Sequence, residues 1–214
     1  MSQLAGQEEY LEQIYRLSPN RRVQLSALAK ALDVKGPSVT EMCRTLAEKG
    51  LVEYEPRAGV SLTDEGRKQA SQMIRRHRLA ERLLTDLIGL PWELAHDEAC
   101  KYEHVISDQV ENLLAAALPA TCPHGNPIDG QPDEAEHLSE MAPGTRGEVV
   151  RIEREESQIL KYLAHLGLVP GATVEIVNRA PMNGPFLVSV GDANYAIGSD
   201  VAERVMVRRV ADED

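Results

Sequence analysis

Between Leu25 and Leu62 the apolar residues change their spacing once, and the change falls at a glycine. Leu25, Leu28, Ala29 and Leu32 recur at helical spacing. Asp33-Val34-Lys35-Gly36 makes a tight turn, and Pro37 suits the first turn of a further helix. Val39, Met42, Cys43 and Leu46 form that helix's apolar stripe at i, i+3, i+4 and i+7, and Gly50 is a natural stop just past its end. The next stretch, LVEYEPRAGVSLT, reads as two short strands, 51–55 and 59–62, joined by a turn around Pro56 and Gly59. An amphipathic helix over residues 7–17, carrying Tyr10, Leu11, Ile14 and Leu17, precedes all of this, with the loop SPNRR between. Helix, helix-turn-helix and hairpin in this order predict a winged helix-turn-helix. The bland alternative is a generic small α+β packing unit.

The charge distribution bears on that choice. The whole chain carries a net −11, which argues against nucleic acid. Residues 16–82, however, hold 14 Lys and Arg against 8 Asp and Glu, a net of +6, while the other residues hold 9 against 26, a net of −17. A basic segment in an acidic chain is what a confined DNA-contacting module looks like. Aromatic residues make up only 4% of a chain that is 43% hydrophobic, so the cores are mainly aliphatic. No apolar run approaches the roughly 18–20 residues of a membrane span, and MSQLAGQEEYLEQIY lacks the basic and apolar regions of a signal peptide. Three widely spaced cysteines, 43, 100 and 122, argue against a disulfide framework and for a reducing cytoplasm.

Thr63 can cap a long helix running to about Ile88, where Gly89-Leu90-Pro91 breaks it. A second long helix is expected over about 92–118, ending at Pro119. Residues 119–145 carry five prolines and read as a linker. From Gly147 short β segments follow: GEVVRIE, TVEIV, FLVSV, NYAI and RVMVRR, with one helix over 156–166. They predict a small β-barrel of about five strands. The expected fold class is α+β, mainly α, with a winged-helix domain over 1–63, a helical domain over 64–118, a linker over 119–145 and a small β domain over 146–214.

The two long helices carry the chemistry. His77 and Glu81 are at i, i+4 on the first. On the second, in HDEACKYEH, His96 and Cys100 are at i, i+4, as are Cys100 and His104, with Glu103 at i+3 from Cys100. Imidazole, thiolate and carboxylate together are ligands for a divalent transition metal. The spacing suggests two clusters on facing helices, while zinc-finger spacing and HExxH are both absent. Taken singly, Cys100 reads as a small buried hydrophobe, and His77, in RRHR, as part of a solvated basic face. Asp97, Glu98 and Lys101 read as bystanders. Cys122 and His124, in CPHGNP, have no partner pair nearby and read as linker structure.

HRLAERLLTDLIGL together with HDEACKYEHVISDQVE resembles the diphtheria toxin repressor family of iron- and manganese-dependent regulators. The resemblance extends through GPSVTEMCRTLAEKGLV, GNPIDG and the C-terminal β domain, which it makes SH3-like. It implies a metal-dependent transcriptional regulator, acting as a repressor, that binds double-stranded operator DNA as a homodimer. It makes the helical domain the seat of metal binding and dimerisation. It implies a primary metal site of Glu9, Cys100, Glu103 and His104, with Glu12 as an additional acid. It also implies an ancillary site of His77, Glu81 and His96, completed by Glu155 and Gln158 from EESQ. Iron-responsive members carry methionine where this chain has Glu9. A carboxylate there hardens the site towards Mn(II), while Cys100 pulls towards Fe(II), Co(II) or Zn(II). The balance falls narrowly to Mn(II), with Fe(II) next and Zn(II) or Co(II) as substitutes in vitro. Neither a membrane nor an organic cofactor is expected.

In the recognition helix Pro37, Ser38, Thr40 and Glu41 fall on the N-terminal exposed side, with Ser38 and Thr40 as readers of bases or phosphates. Glu41 stands where a neutral amide is more usual in the family. Lys35, Arg44, Lys49 and Arg57 are the expected phosphate contacts. Two rival readings are a metal-dependent hydrolase, with Glu103 or Glu81 as its base, and a winged-helix repressor sensing an organic ligand. The first leaves the winged helix and the basic segment unexplained. The second needs an apolar pocket where this chain has His, Cys and Glu.

Overall fold

The structure, a computed structural model, describes residues 3–18, 20–130, 132–182 and 184–210. Pro19, in the SPNRR loop, lies outside them. The chain forms two compact units, residues 1–76 and 77–214.

The first unit is the winged helix. Helices α1 (Gln3–Leu17), α2 (Leu25–Ala31) and α3 (Gly36–Glu48) are followed by the antiparallel hairpin β1 (Val52–Glu55) and β2 (Gly59–Leu62). Leu11, Ile14, Leu28, Val39, Cys43, Leu46 and Val60 fill one core. Pro37 occupies the first turn of α3, where its missing N–H costs nothing. Gly59 is required by its setting: φ is +109°, and a Cβ there would lie 2.5 Å from the Val23 carbonyl oxygen. That close approach lets Val23 and Val60 exchange two backbone hydrogen bonds, which pin the chain before α2 to the wing. Thr63 caps α4 (Asp64–Arg82) by accepting the Gly66 N–H at 3.1 Å, as its position predicts.

In the second unit the end of α4 passes into a π-helical turn, Leu83–Leu87. The expected second long helix does not run through. It breaks into α5 (Trp92–Tyr102), a 3-10 turn over Glu103–Val105, and α6 (Asp108–Ala117). Ser107 restarts the helix, its hydroxyl accepting the Val110 N–H. The Ser-Asp pair at 107–108 is the N-terminal signature that apolar periodicity alone passes over.

The C-terminal part is a six-stranded antiparallel sheet in the order β3-β8-β4-β5-β6-β7. Strands β4 (Arg146–Ile152), β5 (Thr173–Arg179), β6 (Phe186–Val190), β7 (Ala193–Ile197) and β8 (Val205–Arg209) fall on the five expected segments. The sixth, β3 (Glu136–His137), is a two-residue strand in the proline-rich stretch. Helix α7 (Ser157–Leu166) buries Leu160, Leu163 and Leu166 in the sheet core, and a short α8 (Ser199–Ala202) precedes β8. Because α5 packs against α7, the chain just before α7 lies beside the helix bearing His96 and Cys100. No helix among the described residues is long and apolar enough to cross a membrane.

Candidate metal centre

Helix α4 brings His77 and Glu81 onto one buried face, as i, i+4 spacing demands. His77 Nε2 lies 3.0 Å from Glu81 Oε1 and 3.0 Å from His96 Nδ1. Its other nitrogen, Nδ1, lies 2.5 Å from Glu103 Oε2 and 3.9 Å from Cys100 Sγ. His77 therefore touches both expected ligand sets instead of one. Far from belonging to a solvated basic face, it is fully buried. His104 Nε2 stands 3.4 Å from Glu103 Oε1, and Cys100 is exposed. Glu155 is buried and reaches the cluster with Oε2 3.5 Å from His96 Nδ1, whereas Gln158 is exposed on the first turn of α7.

The reading of CPHGNP as plain linker is corrected here. Cys122 N–H donates to Asn126 O and Ile128 N–H to Ala120 O, closing a tight loop. Gly125 at its tip has φ +86°, and a Cβ there would lie 2.0 Å from Val150 O, so only glycine lets the loop dock on β4. Asn126 Nδ2 donates to Ile152 O and to Glu155 Oε1, and Arg78 and Arg82 of α4 donate to the Pro127 and Thr121 carbonyls. The docked loop buries Cys122 and His124 completely. His124 Nδ1 then lies 3.2 Å from Glu81 Oε1 and 3.5 Å from Glu155 Oε1, with Cys122 Sγ 3.7 Å from Glu155 Oε1. His124 Nε2 is 2.9 Å from the Trp92 carbonyl. A carbonyl only accepts, so Nε2 carries the proton and Nδ1 is left to face the carboxylates. Both residues escaped the sequence because their partners are Glu81 and Glu155, each some 30 or more positions away.

The electrostatics are those of a buried cation site. Burial alone would lower His77, but the Glu81 charge and hydrogen bonds from Cys100, Glu103 and Glu81 raise it well above the ordinary histidine range. Burial would raise Glu81, yet His77 and the bonds from His124, His77 and His96 hold it well below the usual carboxylate range. His124 is raised against its own burial by Cys122, Glu155 and Glu81. Burial, helped by Glu81 and Glu155, pushes the Cys122 thiol up to about 12. Protons on the imidazoles thus hold the carboxylates together. A divalent cation would take over that role and free the thiol and imidazoles to act as ligands. Glu81 Oε2 supplies the test of fit: it is buried without a hydrogen-bond partner. A buried carboxylate oxygen left bare is costly, and a bound ion removes the cost. Two four-residue groups place their ligand atoms within 4.8 Å of one another: His77, Glu81, His96 and Glu155, and Glu81, Cys122, His124 and Glu155.

Three family models cover the chain. Iron dependent repressor, N-terminal DNA binding domain, matches residues 4–60; iron dependent repressor, metal binding and dimerisation domain, matches 63–130; and the FeoA domain matches 136–209. The iron-dependent repressor IdeR of Mycobacterium tuberculosis is 38% identical over 95% of this chain and 96% of its own. The chain belongs to the iron-dependent repressor family. The diphtheria toxin repressor of Corynebacterium diphtheriae is 33% identical over 95% of this chain and 96% of that protein. A solved manganese-dependent transcriptional repressor in complex with manganese superposes with a TM-score of 0.85, at 31% identity over 95% of this chain and 100% of that one. As a member of the iron-dependent repressor family, the chain is a metal-dependent transcriptional repressor, and its relatives are regulators rather than enzymes.

The remaining expected residues of this repressor lie in the first unit. Glu9 is exposed on α1, while Glu12 is buried and paired with Arg16 at 2.7 Å. Lys35, Pro37, Ser38, Glu41, Arg44, Lys49 and Arg57 are all exposed. Thr40 is half-buried, and its hydroxyl donates to Gly36 O at 3.1 Å, which leaves it only an acceptor to offer. Arg57 sits in the wing turn with φ +70°.

Proposed function

We propose that this repressor, loaded with Mn(II) or Fe(II), binds double-stranded operator DNA as a homodimer in the cytoplasm, with no organic cofactor and no turnover of its own. The observation that carries the reading is Glu81. A fully buried carboxylate with one bare oxygen faces three imidazoles, a setting that an apolar-ligand sensor has no use for. Cys100, Glu103 and His104, joined by Glu9 from α1, are the primary ligands, with Glu12 as an accessory acid. His77, Glu81, His96 and Glu155 are the ancillary ones, Gln158 being their outermost candidate. The acids and imidazoles suit Mn(II) and Fe(II), with Mn(II) narrowly ahead; the thiols lean towards Fe(II), Zn(II) and Co(II).

Dimerisation is supported by apolar side chains left in solvent on the stretch around α5 and α6. Leu87, Ile88, Val105 and Leu113 are all about two-thirds exposed or more, which is costly unless another surface covers them. DNA contact is supported by the exposed cations of α3 and the wing, with Ser38 as base reader and Lys35, Arg44, Lys49 and Arg57 on phosphates. A bound cation favours DNA binding only through its preference for the DNA-competent arrangement; a near-complete switch needs about 5.5 kcal/mol of preference.

The test is anaerobic binding to double-stranded DNA selected from random sequence on the Mn(II)-loaded protein. Wild type is expected to bind with Mn(II) or Fe(II) and to release on chelation. Cys100→Ala and Glu9→Ala are expected to lose that dependence while keeping the fold by circular dichroism. Unchanged metal dependence in Cys100→Ala would overturn the primary site.

A further inference from the structure

We infer that the ancillary pocket holds two divalent ions at once, bridged by Glu81 and Glu155. This deepens the metal-centre reading above and rests on it.

The two donor groups share their carboxylates and differ in everything else. One half offers His77 and His96, the other Cys122 and His124. The six ligand atoms close as two groups, not one, so a single ion does not gather them all. Glu155 already faces both ways: Oε2 lies 3.5 Å from His96 Nδ1, while Oε1 lies 3.5 Å from His124 Nδ1 and 3.7 Å from Cys122 Sγ. Glu81 does the same with one oxygen, in reach of His77, His96 and His124, and keeps Oε2 bare. Carboxylates that span two ions hold them roughly 3.5–4 Å apart in known two-metal sites. Here two carboxylates and one thiolate offset three of the four positive charges.

The halves suit different ions. The Cys122 half is buried at all four positions and its donors are thiolate, imidazole and two carboxylates. That is the closed four-ligand arrangement of a structural, zinc-like site. The His77 half opens to solvent at the partly exposed His96 and has no thiolate, so it suits a more exchangeable, harder ion completed by water. Trp92 and Asn126 are positioning groups for the closed half, through the His124 and Glu155 contacts already described.

The experiment is a stoichiometry cycle on the full chain. Wild type, Cys122→Ser, His96→Gln and the double variant are loaded anaerobically with Zn(II) or Mn(II), desalted and assayed by elemental analysis, with circular dichroism to confirm folding. Each single variant is expected to carry one ion fewer than wild type, and the double variant two fewer. His124→Asn should repeat the Cys122→Ser loss. Mn(II)-loaded wild type should show the electron paramagnetic resonance signature of an exchange-coupled pair, absent from either single variant. If the double variant loses only one ion, the pocket is mononuclear: the inference falls and the metal-centre reading stands. If no variant loses an ion, the pocket is not a metal centre and both fall.

Discussion

Cys43 and Cys122 are both fully buried thiols, and their surroundings are of opposite kinds. Cys43 sits in the winged helix among Leu11, Val39, Leu46 and other apolar side chains, and burial alone pushes it up to about 11. Cys122 sits against His124, Glu81 and Glu155 in the second unit. The first unit hides its one thiol to pack a core. The second gathers buried acids and imidazoles that only protons or a cation can reconcile. Burial of a cysteine therefore says little until its neighbours are known.

The largest blow to this contrast is Glu81→Ala. It strips the shared acceptor from three imidazoles, and breaking such a buried charged cluster costs about 3–5 kcal/mol. Denaturant unfolding should show that loss in the second unit, together with loss of metal binding; a drop below about 1 kcal/mol would mean that the cluster is not held by Glu81. Next comes Asn126→Ala, which removes a donor to Glu155 and to Ile152. Metal affinity is expected to fall by roughly 10–100-fold, the usual cost of losing a group that orients a ligand. The single tryptophan, with its ring 5.3 Å from that of His124, offers a fluorescence readout.

Acidity sharpens the comparison further. In the metal-free protein the raised His77 stabilises the second unit fully below about pH 6.5, and that stabilisation is lost as pH climbs through its folded value. The depressed Glu81 stabilises it above about pH 4.5, and that is lost as pH falls through its own folded value. Metal-free stability should therefore peak between these limits, whereas metal affinity should rise with pH because protons compete for the same atoms. Titrations with Mn(II) at two pH values that gave equal affinities would contradict this. The smallest effect belongs to Cys43. Its thiol, raised from 9.0 to about 11, costs the winged helix stability only between those values, as pH rises. Cys43→Val should abolish that alkaline slope at a cost of less than about 1.5 kcal/mol and leave metal content unchanged. An altered metal content would place Cys43 in the metal chemistry after all.

Much of this was legible in the chain because it is local. The period change at Gly36, the stripe Val39, Met42, Cys43 and Leu46, and the five β segments each report an element through its own neighbours. The His96, Cys100, Glu103 and His104 spacing likewise puts ligands on one short stretch, even though the helix bearing them breaks after Tyr102. What tertiary structure decided is convergence. Docking of the CPHGNP loop on β4, set by Gly125 and Asn126, turned Cys122 and His124 from linker residues into donors. Packing of α5 on α7 aimed Glu155 at both halves of the pocket. The burial of His77 between Glu81 and Glu103 joined two sets that sequence spacing keeps apart. Local periodicity follows from a few neighbouring residues, whereas a multidentate site is a meeting of distant segments. Only the packed chain determines which carboxylates those segments share.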